Sequence, residues 1–89
     1  MQMAGSQRWP STATISTAVV VNARWLNVRA TPESGDNVIS VASGGEIVTL
    51  LGRNGGWIKV RQANRVEGWV GSSYLASNVD FATLPVLDS

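Results

Sequence analysis

Two short apolar runs, each with a tryptophan at or near its start, constrain the fold of this chain more than any other feature. One covers residues 57–61 and the other residues 68–75, and the polar residues 62–67 separate them. In the first run Ile58 and Val60 alternate with other residues, which is the period of two of a β-strand with one buried face. Two such runs on either side of a polar turn predict a β-hairpin. The rest of the chain then has to supply the strands that close a small barrel around it.

Short strands and turns also account for the other parts of the chain. Three further strand-like stretches, rich in β-branched residues, are found at residues 17–30, 38–41 and 46–51. The residues between them are rich in Gly, Pro, Asp and Asn, which favour turns. Residues 72–75 are too few for an α-helix and predict a single 3₁₀ turn before a last short strand. We therefore predict an all-β fold, a small barrel or sandwich of five to six short strands with one 3₁₀ turn near its C-terminal end.

The two ends of the chain differ from this strand-rich centre. Residues 1–16 are rich in Ser, Thr, Ala and Gln, and Pro85 interrupts the apolar residues near the C-terminus. We predict one folded domain at residues 17–77, with a linker or added tail at 1–16 and a C-terminal linker at 78–89. The C-terminal linker would dock through Phe81 or Leu84. Trp9 either docks on the domain or lies in a frayed terminus.

Composition excludes several kinds of active site. The chain has no cysteine and no histidine. It therefore has no disulfide, no Ser-His-Asp or Cys-His catalytic arrangement and no metal site with Cys or His ligands. Its carboxylates are scattered singly along the sequence, so no catalytic pair is predicted. We expect neither enzymatic activity nor a metal or other cofactor.

The charge and hydropathy of the chain also limit its partners. Seven Lys and Arg residues against six Asp and Glu residues give a formal net charge of +1. Proteins that bind nucleic acid without sequence preference are usually far more basic, because neutralising phosphates supplies their affinity. No stretch approaches the roughly 18 apolar residues of a membrane-spanning helix, and residues 1–10 have no continuous apolar core of a secretion signal. We predict neither nucleic acid nor membrane as a partner.

Separated motifs in the centre of the chain resemble those of the bacterial SH3 family. They are Leu-Asn-Val-Arg at 26–29, Pro32, Gly-Trp-Ile-Lys-Val at 56–60, Gly-Trp-Val at 68–70 and Tyr-Leu at 74–75. The resemblance runs from about residue 17 to residue 77, which is about two thirds of the chain. It implies a five- to six-stranded SH3-like barrel without catalytic activity. It also implies a module of secreted or cell-envelope proteins, often peptidoglycan hydrolases and often in tandem copies.

The same resemblance identifies a candidate ligand-binding groove. Trp57 matches a groove position of the family, and its alternation with Ile58 places it on the outer face or at a rim; otherwise it caps the barrel end. Tyr74 matches the groove tyrosine. Trp25 is either a wall of the groove or a cover of the core. Arg29 either clamps a ligand carboxylate in a bidentate way or hydrogen-bonds the neighbouring loop.

Some positions depart from the pattern of peptide-binding SH3 domains. Gly71 stands where eukaryotic SH3 domains have a proline, and the loop at residues 30–37 carries only Glu33 and Asp36 as acidic residues. These departures argue against recognition of proline-rich peptides through aromatic slots.

Trp69, which follows Gly68, is predicted to lie in the core.

Two functions are compatible with these observations. The first is a non-catalytic, monomeric module that binds cell-wall peptide or glycan, weakly at each site and more tightly in tandem copies. The alternative is a structural or protein–protein interaction module, either a spacer or a barrel that self-associates through exposed strand edges. In the first case the chain is expected to be extracellular or in the cell envelope, as part of a longer secreted protein.

Overall fold

The described part of the chain contains seven short strands, which build a barrel. A computed structural model of the protein describes residues 15–88. The strands are β1 (Thr17–Val20), β2 (Trp25–Arg29), β3 (Val38–Ser43), β4 (Ile47–Asn54), β5 (Trp57–Arg61), β6 (Glu67–Gly71) and β7 (Leu75–Ala76). They form one antiparallel sheet in the order β3-β2-β6-β5-β4-β1-β7. Single 3₁₀ turns follow at Ser72–Tyr74 and Phe81–Thr83. The predicted all-β class is confirmed, as is the 3₁₀ turn before the last short strand.

The sheet curls around a single core. Every strand contributes at least one side chain to one buried cluster, which contains Ala18, Val20, Leu26, Val28, Ala42, Val48, Leu50, Ile58, Val60, Val70, Leu75 and Leu84. In a flat sheet, six gaps of about 4.8 Å would put the two edge strands roughly 29 Å apart. Side chains from both edges could not then share one cluster. The sheet is therefore curled into a small SH3-like barrel, and within residues 15–88 β3 and β7 are its edge strands.

A break at Asn22 divides the stretch of residues 17–30 into two strands. Asn22 has φ of 61°, in the left-handed region that asparagine tolerates better than β-branched residues do. Its side-chain Nδ2 donates a hydrogen bond to the carbonyl oxygen of Ser73 at 3.3 Å. The break lets β1 pair with β4 and β7 while β2 pairs with β3 and β6. This division accounts for a seventh strand.

Strand β6 is buried on both faces. Val70 belongs to the core cluster, whereas Trp69 points to the opposite face and is fully buried there, with 0% exposure. Trp69 lies between Arg29 of β2 and Lys59 of β5 in the cross-strand register, and Lys59 Nζ is 5.9 Å from the centre of its ring. The prediction that Trp69 is buried in the core is confirmed. It lies on the opposite face of β6 from Val70 and outside the cluster that contains Val70, because successive side chains in a strand point to opposite faces.

The C-terminal segment, residues 77–88, packs against the barrel. Leu84 joins the core cluster, and Val79 and Phe81 pack against it. The amide of Arg53 in β4 donates to the Pro85 carbonyl at 2.8 Å, and the amide of Leu87 donates to the Arg53 carbonyl at 2.9 Å. The segment thus covers the end of β4, beyond the part that pairs with β1. The packed unit extends past residue 77, the predicted domain boundary.

Side chains of β4 also hold the C-terminal segment. Arg53 Nε donates to the Leu84 carbonyl at 3.1 Å, and Asn54 Nδ2 donates to the Leu87 carbonyl at 2.7 Å. Gly52 lies directly beneath the segment, because a Cβ atom there would overlap Leu87 Cδ1 and lie 2.9 Å from the Pro85 carbonyl oxygen. Glycine is therefore required at position 52 by close approach of the chain.

The predicted N-terminal linker and Trp9 lie almost entirely outside the described residues. Only residues 15 and 16 of that stretch are described, and Ile15 is largely exposed. Within residues 15–88, no helix has the length and apolar character needed to cross a membrane.

Gly52→Ala is expected to lower the free energy of unfolding by about 1–3 kcal/mol, because the new methyl group overpacks the contact with the C-terminal segment. Gly56→Ala is the matched control: nothing lies within 4 Å of a Cβ at Gly56, and its φ lies outside the left-handed region. Chemical denaturation measures both changes, and amide hydrogen exchange at Leu87 should accelerate only in Gly52→Ala. Equal stability of the two variants would contradict the close packing at Gly52.

Candidate functional site

The four predicted site residues lie around one groove. The groove has a volume of about 500 Å³ and runs between β2, the start of β5 and the first 3₁₀ turn. It is lined by Asn22, Ala23, Arg24, Trp25, Leu26, Asn27, Arg29, Ser34, Trp57, Gly71 and Tyr74. The fold thus brings together the four predicted site residues, which are up to 49 positions apart (from 25 to 74) in the sequence. Ligand binding by these residues stays a prediction.

The β4–β5 hairpin positions Trp57. Asn54 pairs with Trp57 across the turn formed by Gly55 and Gly56, and Gly55 has φ of 60°, which two-residue hairpin loops favour. Trp57 alternates with the buried Ile58, so its ring lies on the outer face of the barrel and is partly exposed. The short turn therefore fixes the tryptophan at the rim of the groove.

The first 3₁₀ turn positions Tyr74. The Tyr74 carbonyl accepts a hydrogen bond from the amide of Val21 at 2.8 Å, which ties the turn to the connection between β1 and β2. The side chain is 39% exposed. A Cβ atom at Gly71 would lie 3.3 Å from Tyr74 Cδ2, so the absence of a side chain at Gly71 lets the ring lie close to the end of β6.

Trp25 forms an exposed wall of the groove. It is the first residue of β2, opposite Ser43 of β3, and 68% of its surface is exposed. The next residue, Leu26, points to the core. Because side chains alternate along the strand, the indole of Trp25 lies on the outer face, next to the groove.

Arg29 anchors the loop at residues 30–37 and also lines the groove. Its Nη1 donates to the Gly35 carbonyl at 2.8 Å and to Asn37 Oδ1 at 3.1 Å. The amide of Asn37 is itself held, because Nδ2 donates to Thr31 Oγ1 at 2.7 Å and to the Glu33 carbonyl at 2.9 Å. The structural hydrogen bond considered for Arg29 therefore exists. It uses Nη1 alone, and within residues 15–88 Nε and Nη2 of Arg29 make no hydrogen bond.

The groove is aromatic and positively charged. Its two charged lining residues are Arg24 and Arg29, and no carboxylate is among the lining residues. Glu33 and Asp36 are exposed on the neighbouring loop but do not line the groove. The net charge of the whole chain is only +1, so this positive character comes from local placement.

The lining residues combine aromatic rings with polar and charged groups. They offer two indole rings, a phenol, two guanidinium groups, the amides of Asn22 and Asn27, and one Ser hydroxyl. Aromatic walls with a few convergent polar groups are typical of sites that hold a ligand. Within residues 15–88, no group of three or more acidic side chains is placed to hold a metal ion.

Sequence reasoning missed four polar lining residues, which are Asn22, Arg24, Asn27 and Ser34. Asn22 could have been found, since an asparagine after a run of three valines indicates a left-handed residue that ends a strand. Arg24 gave no such signal, because its side chain reaches the groove only after the break at Asn22 turns the chain into β2.

Comparison with known proteins identifies the family. A family model described as bacterial SH3 domain matches residues 25–76, from the first residue of β2 to the last residue of β7. The match covers more than half of the chain and confirms the resemblance seen in the sequence. A search of curated proteins found no match to the chain.

Asn37→Ala is expected to lower the free energy of unfolding by about 1–2 kcal/mol. The change removes the Oδ1 atom that accepts from Arg29. It also removes the Nδ2 group that donates to Thr31 and Glu33 and so orders the loop. Asn78→Ala is the matched control, since Asn78 is exposed and its side chain makes no hydrogen bond with the described residues. Thermal unfolding of both variants measures the difference. If Asn37→Ala were as stable as Asn78→Ala, the loop would not depend on this amide.

Proposed function

Because the chain belongs to the bacterial SH3 domain family, we propose that it is a non-catalytic module that binds cell-wall peptide or glycan. By binding there it would hold a longer secreted or cell-envelope protein at the wall. The family consists of binding modules, so binding is the class of function that membership supports.

The observation that carries the proposal is the grouping of Trp25, Trp57 and Tyr74 around one groove. Large aromatic side chains left on a surface are costly in water unless they bind something. Trp25 is the most exposed of the three, at 68%, and the core gains nothing from its ring. Peptide bonds and sugar rings can both stack on such walls. The groove volume of about 500 Å³ falls within the range of roughly 300–1,000 Å³ that is usual for ligand sites.

A module of this kind works best in several copies. One shallow groove with three aromatic walls gives weak binding, since much of the contact energy offsets lost translational and rotational freedom. Tandem copies along one polymer raise the overall affinity without any new contact. We therefore expect weak binding by the isolated chain and much tighter retention of a protein that carries repeats.

A second candidate function rests on the edge strand β3. Val38, Ile39 and Val41 are each about half exposed, and within residues 15–88 β3 pairs with β2 alone. An unpaired edge with apolar side chains can add a strand from a partner or from a second copy. Sedimentation velocity over a concentration series distinguishes this function. A monomer at all concentrations argues against self-association.

Trp57→Ala is expected to lower the fraction of protein that sediments with purified peptidoglycan by at least about tenfold, as is usual for a central aromatic contact. The midpoint of thermal unfolding should change little, because Trp57 lies outside the core cluster. Ile47→Ala is the matched control, since Ile47 is an exposed apolar residue that does not line the groove, and it should bind as the wild type does. The proposal fails if the wild-type protein does not sediment with peptidoglycan, and the groove is the wrong site if Trp57→Ala binds normally.

A further inference from the structure

We propose that the groove binds the free carboxylate of a peptide, which Arg29 holds and Arg24 attracts. This inference rests on the proposed function and narrows its ligand, from cell-wall peptide or glycan to a peptide with a free carboxylate. The charge of the lining residues and the hydrogen bonds of Arg29 lead to it.

The balance of charge in the groove favours an anion. Arg24 and Arg29 supply both formal charges among the lining residues. An acidic side chain among them would cancel this field, and none is present. The net charge of the whole chain is only +1, so the two arginines give the groove a local excess of positive charge. An anionic group on a ligand is thus attracted to this part of the surface.

Arg29 is held in a position suited to a carboxylate. Both hydrogens of Nη1 are used by the Gly35 carbonyl and the Asn37 side chain, which fix the plane of the guanidinium group. The opposite edge carries Nε and Nη2, which make no hydrogen bond with residues 15–88. Two parallel N–H groups on one edge match the two oxygens of a carboxylate. Because Nη1 is already anchored, a ligand gains these bonds without ordering a free side chain.

Arg24 adds a second positive charge beside Trp25. Its side chain is exposed and makes no hydrogen bond or ion pair with the described residues. An exposed charge attracts an anion over a distance but does little to orient it. We therefore assign bidentate recognition to Arg29 and long-range attraction to Arg24.

Hydrogen bonds to a carboxylate are stronger than those to a hydroxyl group, and this difference favours a peptide over a glycan as the ligand. A neutral sugar offers the guanidinium groups only hydroxyl acceptors. Hydrogen bonds to a carboxylate are charge-assisted and about twice as strong as neutral ones. A peptide with a free carboxylate satisfies Arg29 and still places its neighbouring residues against Trp25, Trp57 and Tyr74, which line the same groove.

The test uses N-acetyl-D-alanyl-D-alanine, with a free C-terminal carboxylate or as the C-terminal amide. Each peptide is titrated into the whole 89-residue chain at low salt, and binding is followed by calorimetry. The free acid should bind at least about tenfold more tightly than the amide. The difference should shrink as salt screens the attraction.

Three variants locate the effect. Arg29→Gln should remove most of the difference between acid and amide. Because Arg29 also anchors the loop, Arg24→Gln provides a second variant that changes no hydrogen bond within residues 15–88, and it should reduce the difference severalfold. Arg61→Gln is the matched control: it removes the same charge, but from an ion pair with Glu67 at 2.8 Å outside the groove. It should leave the difference intact.

The failure of this inference can be distinguished from failure of the proposed function. Equal binding of acid and amide, both weakened by Trp57→Ala, would overturn the carboxylate inference and leave the proposed function standing. If the protein sediments with peptidoglycan but binds neither peptide, the carboxylate inference is also overturned. The proposed function then stands, with the glycan as the ligand. Inorganic phosphate that competes as well as the acid would show a general anion site and overturn carboxylate recognition. The absence of both sedimentation and peptide binding would overturn both proposals.

Discussion

The alternation of side chains along the β5–β6 hairpin is the constraint on which the rest of the structure depends. Ile58, Val60 and Val70 point inward and fill the core, which forces Trp57 and Trp69 to the outer face. A barrel of this size can bury one face of each strand against its own core. The outer face is then available for binding, as at Trp57, or has to be covered by neighbouring side chains, as at Trp69. One structural rule thus separates the residues that hold the fold from those that line the groove.

Much of this division could be predicted from the sequence, because it depends on local alternation. The outward position of Trp57 follows from its place beside Ile58. The packing of the C-terminal segment could not be predicted in the same way. Arg53 and Asn54 hold it through backbone carbonyls, and every residue has a carbonyl, so no residue type in the segment indicates the contact. Leu84 was a candidate because it is apolar, but only the tertiary structure shows that it completes the core.

The charge of the groove shows that composition alone does not predict the local charge of a site. The nearly balanced charge of the chain lowers the expectation for nucleic acid. It says nothing about how the charges are distributed. Acidic residues such as Glu67 lie elsewhere, while Arg24 and Arg29 both line the groove. The sequence separation of these two arginines is five residues (24 to 29), yet their meeting at one groove depends on the turn between β1 and β2.

The docking of the C-terminal segment has a consequence for proteolysis. A protease needs several residues of extended and accessible backbone, and segments outside regular structure usually supply them. Here the carbonyls of Leu84, Pro85 and Leu87 are all hydrogen-bonded to β4, and Leu84 is buried in the core. Cleavage near Leu84 therefore requires local opening that also exposes part of the core. Resistance of this segment to digestion is thus coupled to the stability of the barrel.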